Sequence, residues 1–171
     1  MDLGDWIPVM DIVGIKSIAG VFFTHIYFDH IYGILQLLEN FPECFVYPSD
    51  FGKLALASSK LNFSKYHEEQ IIIEVEPKNL KVLKDGDKVC IGNGQEIEAY
   101  ETPGHDKSCL TYRMDDILFT GDSLIPGIKT ITNLPCRNKT DAIKSEEIIK
   151  KLWKSCCLYP GHGEYGIEKL I

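Results

Sequence analysis

The chain has 171 residues, 44% of them hydrophobic and 25% charged, which is enough for one soluble domain with a sizeable core. Its net charge of −7 argues against a general nucleic-acid binder, which needs a basic surface to neutralise phosphates. No apolar run approaches the roughly 20 residues of a membrane span, and Met1 to Met10 lacks the basic-then-apolar order of a signal peptide, so a cytoplasmic protein without membrane contact is expected. Six cysteines (Cys44, Cys90, Cys109, Cys136, Cys156, Cys157) include no C-x-x-C pair. The adjacent Cys156 and Cys157 suit no ordinary disulfide, and reduced thiols are the simpler expectation.

Asp2-Leu3-Gly4-Asp5-Trp6 reads as a turn, and Ile7 to Ile15 as a short helix or irregular connection. The apolar run from Ile18 to Phe23 predicts a buried strand that empties into Thr24-His25-Ile26-Tyr27-Phe28-Asp29-His30. Side chains two apart on an extended segment point the same way, so His25, Tyr27 and Asp29 can face one point. His30 approaches that point from a helix start. Imidazole nitrogen and carboxylate oxygen are common ligands of zinc and similar divalent ions. The next stretch predicts a helix from Ile31 to Asn40, with Ile31, Ile34, Leu35 and Leu38 as its apolar stripe. Phe45-Val46-Tyr47 is a short strand stopped by Pro48, and Ser49 or Asp50 caps a helix to about Ser58. From Ser59 to Lys78 the pattern weakens, and His67 reads as a solvated residue rather than a ligand.

The second half is rich in strands. Leu80 to Leu83 alternates, Asp85-Gly86-Asp87 turns, Lys88 to Ile91 continues, and Gly92-Asn93-Gly94 turns again into Gln95 to Glu101. Strands over Cys109 to Arg113 and Ile117 to Phe119 flank an Asp115-Asp116 turn. A loop over 125–140 precedes a helix from about Asp141 to Trp153, with Ser145, Ile148, Ile149 and Leu152 on one face. Cys157-Leu158-Tyr159 then runs into Pro160-Gly161-His162-Gly163-Glu164. Two sheets packed face to face with helices outside fit this order.

Four times, then, an apolar strand ends in a short loop bearing His or Asp: His25 to His30, His105, Asp122 and His162. Each loop alone reads as an ordinary turn. Together they point to a shared centre, and four of the five histidines lie in them.

The set Thr24-His25-x-Tyr27-x-Asp29-His30, Thr102-Pro103-Gly104-His105, Thr120-Gly121-Asp122 and Pro160-Gly161-His162-Gly163 closely resembles the metallo-β-lactamase superfamily. It is most similar to the branch of glyoxalase II and related metal-dependent hydrolases, over about Asp2 to Glu164. The resemblance implies an α+β fold, a four-layer αβ/βα sandwich, as a single domain over residues 1–171. It implies one or two divalent ions, zinc first, with iron or manganese as alternatives. His25 and His105 would serve one ion, Asp29, His30 and His162 the other, and Asp122 would bridge them. A hydroxide held between the ions would attack an ester, thioester, lactam or phosphodiester of a small molecule, and Asp29 and Tyr27 are the candidate catalytic side chains.

Two features depart from the family pattern. Tyr27 stands where the family usually has histidine, and a neutral phenol with pKa about 10 replaces imidazole poorly on zinc. The second ion site is therefore expected to be the tighter. The strands that usually precede an Asp-x-Gly turn like Asp2-Leu3-Gly4 are missing, which would expose a sheet edge and favour a homo-oligomer. The helical glutathione-binding domain of glyoxalase II is also not present up to Ile171. Alternatives are a mononuclear iron persulfide dioxygenase using His25, His105 and Asp122, or a degenerate non-catalytic member. Lys129, Arg137 and Lys139 could meet an anionic group, or form a solvated charged loop.

Overall fold

A computed structural model describes residues 17–75, 78–133 and 136–170. The turn and helix expected between Asp2 and Ile15 lie outside the described residues. The chain forms two compact units that divide between Val82 and Leu83.

In the first unit, β1 (Gly20–Phe22) pairs in parallel with β2 (Phe45–Tyr47), Val21 opposite Val46. The strand expected from Ile18 is thus only three residues long. Phe22 and Tyr47 stack with centroids 4.2 Å apart. Gly20 leaves room for that pairing, since a Cβ there would lie 2.9 Å from the Tyr47 ring. On the other side of β2 the backbone of Val46 bonds Asn79 and Lys81, so Leu80 adds only an isolated bridge where a strand was expected.

The single helix expected from Ile31 is two: α1 (Phe28–Ile31) and α2 (Ile34–Asn40), broken at Tyr32-Gly33. Glycine is a poor helix former, and Gly33, at φ −87° and ψ 4°, is the N-cap of the second helix. Ile31, Ile34 and Leu37 are buried, while Leu35 is 44% exposed and Leu38 only half-buried, which corrects the expected stripe. A third helix, α3 (Asp50–Leu56), starts at Ser49, whose Oγ accepts a 3.0 Å bond from the Gly52 amide. Phe23, Ile26, Ile31, Ile34, Val46 and Leu56 share one core.

The stretch without periodicity after Ser59 is ordered by polar groups. Asn62, fully buried, donates through Nδ2 to the carbonyls of Ala55 (3.2 Å) and Ile71 (2.8 Å) and accepts from the Ser64 amide (2.9 Å). Ser64 Oγ in turn accepts from the Ile71 amide at 2.8 Å. These bonds give partners to the buried main chain of Ser64 and Ile71 and add one to the Ala55 carbonyl at the end of α3.

The second unit is a sheet of β3 (Lys88–Gly92), β4 (Gln95–Glu101), β5 (Leu110–Met114), β6 (Ile117–Gly121) and β7 (Cys157–Pro160), in that order. Its first four strands are antiparallel, and β7 runs parallel to β6. Asn93 and Gly94 both hold positive φ, 54° and 77°, as a two-residue hairpin turn requires. Parallel neighbours need a crossover, supplied here by α4 (Lys139–Trp153). Asn138 caps it, its Oδ1 accepting from the amides of Thr140 (2.8 Å) and Asp141 (3.2 Å). The buried face is Ala142, Ser145, Ile149 and Trp153. Ile148 was expected there, but of two adjacent isoleucines only Ile149 can meet Leu118 and Leu158, and Ile148 stays 37% exposed. Among the described residues no helix is long and apolar enough to cross a membrane.

Candidate metal centre

In the first unit, β1 delivers the chain into Thr24 and His25 with no polar exposure: His25 is 1% exposed. Thr24 Oγ1 lies 3.2 Å from His25 Nδ1. The short helix α1 then folds the chain back, so the rings of His25 and His30 come within 4.0 Å of each other. Asp29, on the same turn, has Oδ2 at 3.6 Å from His30 Nε2 and is mostly open to solvent. The first unit therefore gathers His25, Asp29 and His30.

Tyr27 is 7% exposed and packs edge-on against His25 (4.9 Å) and Phe63 (4.8 Å). Its ring is a wall beside His25 rather than a side chain standing in solvent. His67, expected to be merely solvated, is exposed but lies flat on Phe28, with centroids 3.8 Å apart and planes 6° from parallel.

In the second unit the three expected residues come from three loops at one end of the sheet. His105 follows Gly104, whose φ of 140° and lack of a side chain let the loop press against α4. Ser145 Oγ donates a 2.6 Å bond to the Pro103 carbonyl, and the Asn138 amide donates to that of Gly104 at 3.0 Å. Asp122 follows β6, where Thr120 Oγ1 donates to the Leu124 carbonyl at 2.8 Å and tightens the turn. His162 follows β7, whose loop is tied to that of Asp122 by the Gly161 amide donating to the Gly121 carbonyl at 2.9 Å.

The outcome is specific. His105 Nε2 lies 3.8 Å and His162 Nε2 3.5 Å from the same carboxylate oxygen, Asp122 Oδ2. His105 and Asp122 are largely shielded, whereas His162 is half exposed. Two imidazole nitrogens around one carboxylate oxygen is a donor set suited to a divalent ion of the zinc or iron type.

Sequence reasoning passed over two buried neighbours. Asp106 is 1% exposed and accepts at Oδ1 from the Ser108 amide (2.8 Å) and hydroxyl (2.6 Å). The Asp-x-Ser spacing is a recognisable turn signal for this. Cys109 is buried close by, and burial pushes its thiol well above the ordinary range. The charges of Asp106 and Asp122 push the same way, against a hydrogen bond with Ser123.

Strand-end loops that carry histidine and aspartate on an α+β scaffold define a class of metal-binding proteins. Residues 11–156 match the family model of the Metallo-beta-lactamase superfamily, and the chain belongs to that superfamily and has its fold. It is 28% identical over 130 residues to a hydroxyacylglutathione hydrolase of Citrobacter koseri, covering 74% of this chain and 42% of that protein. It is 29% identical over 154 residues to a probable metallo-hydrolase of Streptococcus pyogenes serotype M6, covering 86% of this chain and 65% of that protein. The chain thus spans less than two thirds of either relative. Among solved structures it is similar to TTHA1623 in a di-iron-bound form, with a TM-score of 0.73 and 21% identity over 95% of this chain and 80% of that one.

Proposed function

We propose that the protein is a metal-dependent hydrolase of a small-molecule ester, thioester, lactam or phosphodiester. Residues 1–171 act in this reading as one metallo-β-lactamase-like domain. On the family pattern, His25, Asp29, His30, His105, Asp122 and His162 would be the ligands of one or two divalent ions. The observation that carries the proposal is the approach of His105 and His162 to one oxygen of Asp122, at 3.8 and 3.5 Å. Both relatives are named as hydrolases, and a structural neighbour of the same fold is described in a di-iron-bound form, which supports iron, while the histidine and carboxylate donors suit zinc as well. Bound divalent ions supply a water made acidic enough to ionise near neutral pH and polarise the bond under attack.

The chain's own residues set the details. Tyr27 occupies a shielded place beside the His25 ring, where its phenol gives the first ion less than an imidazole would. On that pattern His25, His105 and Asp122 would hold the first ion, and Asp29, His30, His162 and Asp122 the second. In this reading Asp29, more open to solvent than Asp122, would orient the attacking water, and Tyr27 would contact the substrate. A cytoplasmic location fits the thiol inventory: all six cysteines are free.

The test is metal content by mass spectrometry on freshly purified protein, with thioester and phosphodiester hydrolysis assayed alongside. One tight ion per chain, lost together with turnover in Asp122→Ala, is the expected result. Protein that carries no metal, or oxygen uptake with a glutathione persulfide in place of hydrolysis, would overturn the proposal.

A further inference from the structure

A half-open cavity of about 450 Å³ lies wholly in the second unit. One wall is a stripe of α4, on which Lys139, Ala142, Ile143, Glu146, Lys150 and Trp153 recur at helical spacing. The other wall is the loop from Leu124 to Thr132. That loop is shaped by a Pro126-Gly127 turn: Gly127 holds φ 77°, and the Ile128 amide donates to the Ile125 carbonyl at 3.1 Å.

Three observations indicate an occupant. The floor is apolar and shielded, with Leu124 at 7% and Trp153 at 8% exposure, while Ile128 (58%) and Ile143 (50%) stand open at the rim. Isoleucines left in water around one concavity are what a ligand would cover. The charge at the rim is positive in a chain whose net charge is −7. Lys150 is neutralised by Glu146 at 2.6 Å, but Lys129 and Lys139 have no ion-pair partner among the described residues. Finally, a small cavity of about 60 Å³ that touches His105 and Asp122 shares Ile125, Ile128, Lys129 and Thr130 with the large one. The cavity beside the imidazole and carboxylate therefore adjoins the large one along this loop.

We infer that the cavity beside α4 binds the apolar chain of an amphipathic anion, with its carboxylate or phosphate at Lys129 and Lys139, and so selects acyl substrates of that class. The selection rests on the hydrolase proposal; the binding does not. A neutral alcohol would gain the apolar contacts without the charge, and a cationic amphiphile would meet two lysines.

The experiment is calorimetric titration of the full chain, stripped of metal by chelation so that a carboxylate has no ion to bind, with decanoate as the probe. Saturable one-to-one binding is expected, with decyltrimethylammonium failing to compete. The double variant Lys129→Met, Lys139→Met keeps the aliphatic stems and should bind decanoate roughly fivefold more weakly or worse. Ile143→Glu, at an exposed helix position that folding tolerates, should abolish binding by placing a carboxylate against the chain. Circular dichroism checks that each variant is folded. No binding to the parent protein, or equal binding to both variants, overturns the inference. If metal-loaded protein then still hydrolyses short thioesters, the hydrolase proposal stands without it.

Discussion

A Cβ placed on Gly104 would lie 2.3 Å from the Cα of Ala142. The loop that carries His105 and the first turns of α4 are thus in backbone contact, and only a residue without a side chain fits between them. Gly104→Ala cannot be relieved by trimming Ala142, because the clash is with main-chain atoms. It also forces an L side chain onto φ 140°. We expect a loss of about 3 kcal/mol, at the upper end of ordinary overpacking, and a melting temperature lower by roughly 6–12 °C. Thermal melts of the purified variant measure this; an unchanged transition would show that the helix and the loop are not pressed together.

Asn62 holds a segment that has no strand or helix ladder of its own. Its side chain makes three bonds to main chain, to Ala55, Ile71 and Ser64. Asn62→Ala takes the partner from the Ser64 amide and one donor each from the Ala55 and Ile71 carbonyls, which keep the Ser58 amide and Ser64 Oγ, so a cost of about 1–3 kcal/mol is expected. Asn62→Asp keeps the acceptor but loses both donors and buries a charge, so it should be no better. Urea denaturation distinguishes this from a surface role, for which both variants would match the parent within about 0.5 kcal/mol.

The residues of the site were easier to read than their supports. Histidine and aspartate at the ends of apolar strands are visible in the sequence because the strands are apolar and the loops carry proline and glycine. Nothing local distinguishes Asn62 or Ser64 from surface polar residues, and the helical face that carries Ser145 does not name its partner, since these bonds go to backbone whose path the tertiary structure sets. Ser145 is 42 positions from Pro103. The stripe after Ile31 differs for a related reason. Periodicity assumes one unbroken helix, and here Tyr32 closes one helix and Gly33 opens the next.

That difference yields a paired test. Leu37 is 2% exposed and lies in the first unit's core, while Leu35, on the expected stripe, is 44% exposed. Leu37→Ala should cost about 2–5 kcal/mol by removing buried methyl groups and leaving a cavity. Leu35→Ala should stay within about 0.5 kcal/mol of the parent. Chemical denaturation of the two variants decides between the broken helix and a continuous one, for which the ranking would reverse.

High pH should weaken the fold through a buried thiol and a half-buried phenol. Burial raises the Cys44 thiol from 9.0 to about 11. Burial also raises the Tyr100 phenol from 10.0 to about 12, with the hydrogen bond and charge of Glu98 adding to the rise and Arg113 opposing it. In both cases the unfolded chain gives up its proton first as pH increases. The stabilising difference is absent from no part of the range below pH 9, and it is lost as pH climbs from there through the folded values. For Cys44 the loss falls between about pH 9 and 11, with a slope that cannot exceed one proton, about 1.4 kcal/mol per pH unit. Cys44→Ala removes that contribution and flattens the decline over that window, while Tyr100→Phe flattens it between about pH 10 and 12. Melting temperatures followed from pH 7 to 12 read both effects. A parent protein as stable at pH 11 as at pH 8 would mean that neither group is held from water.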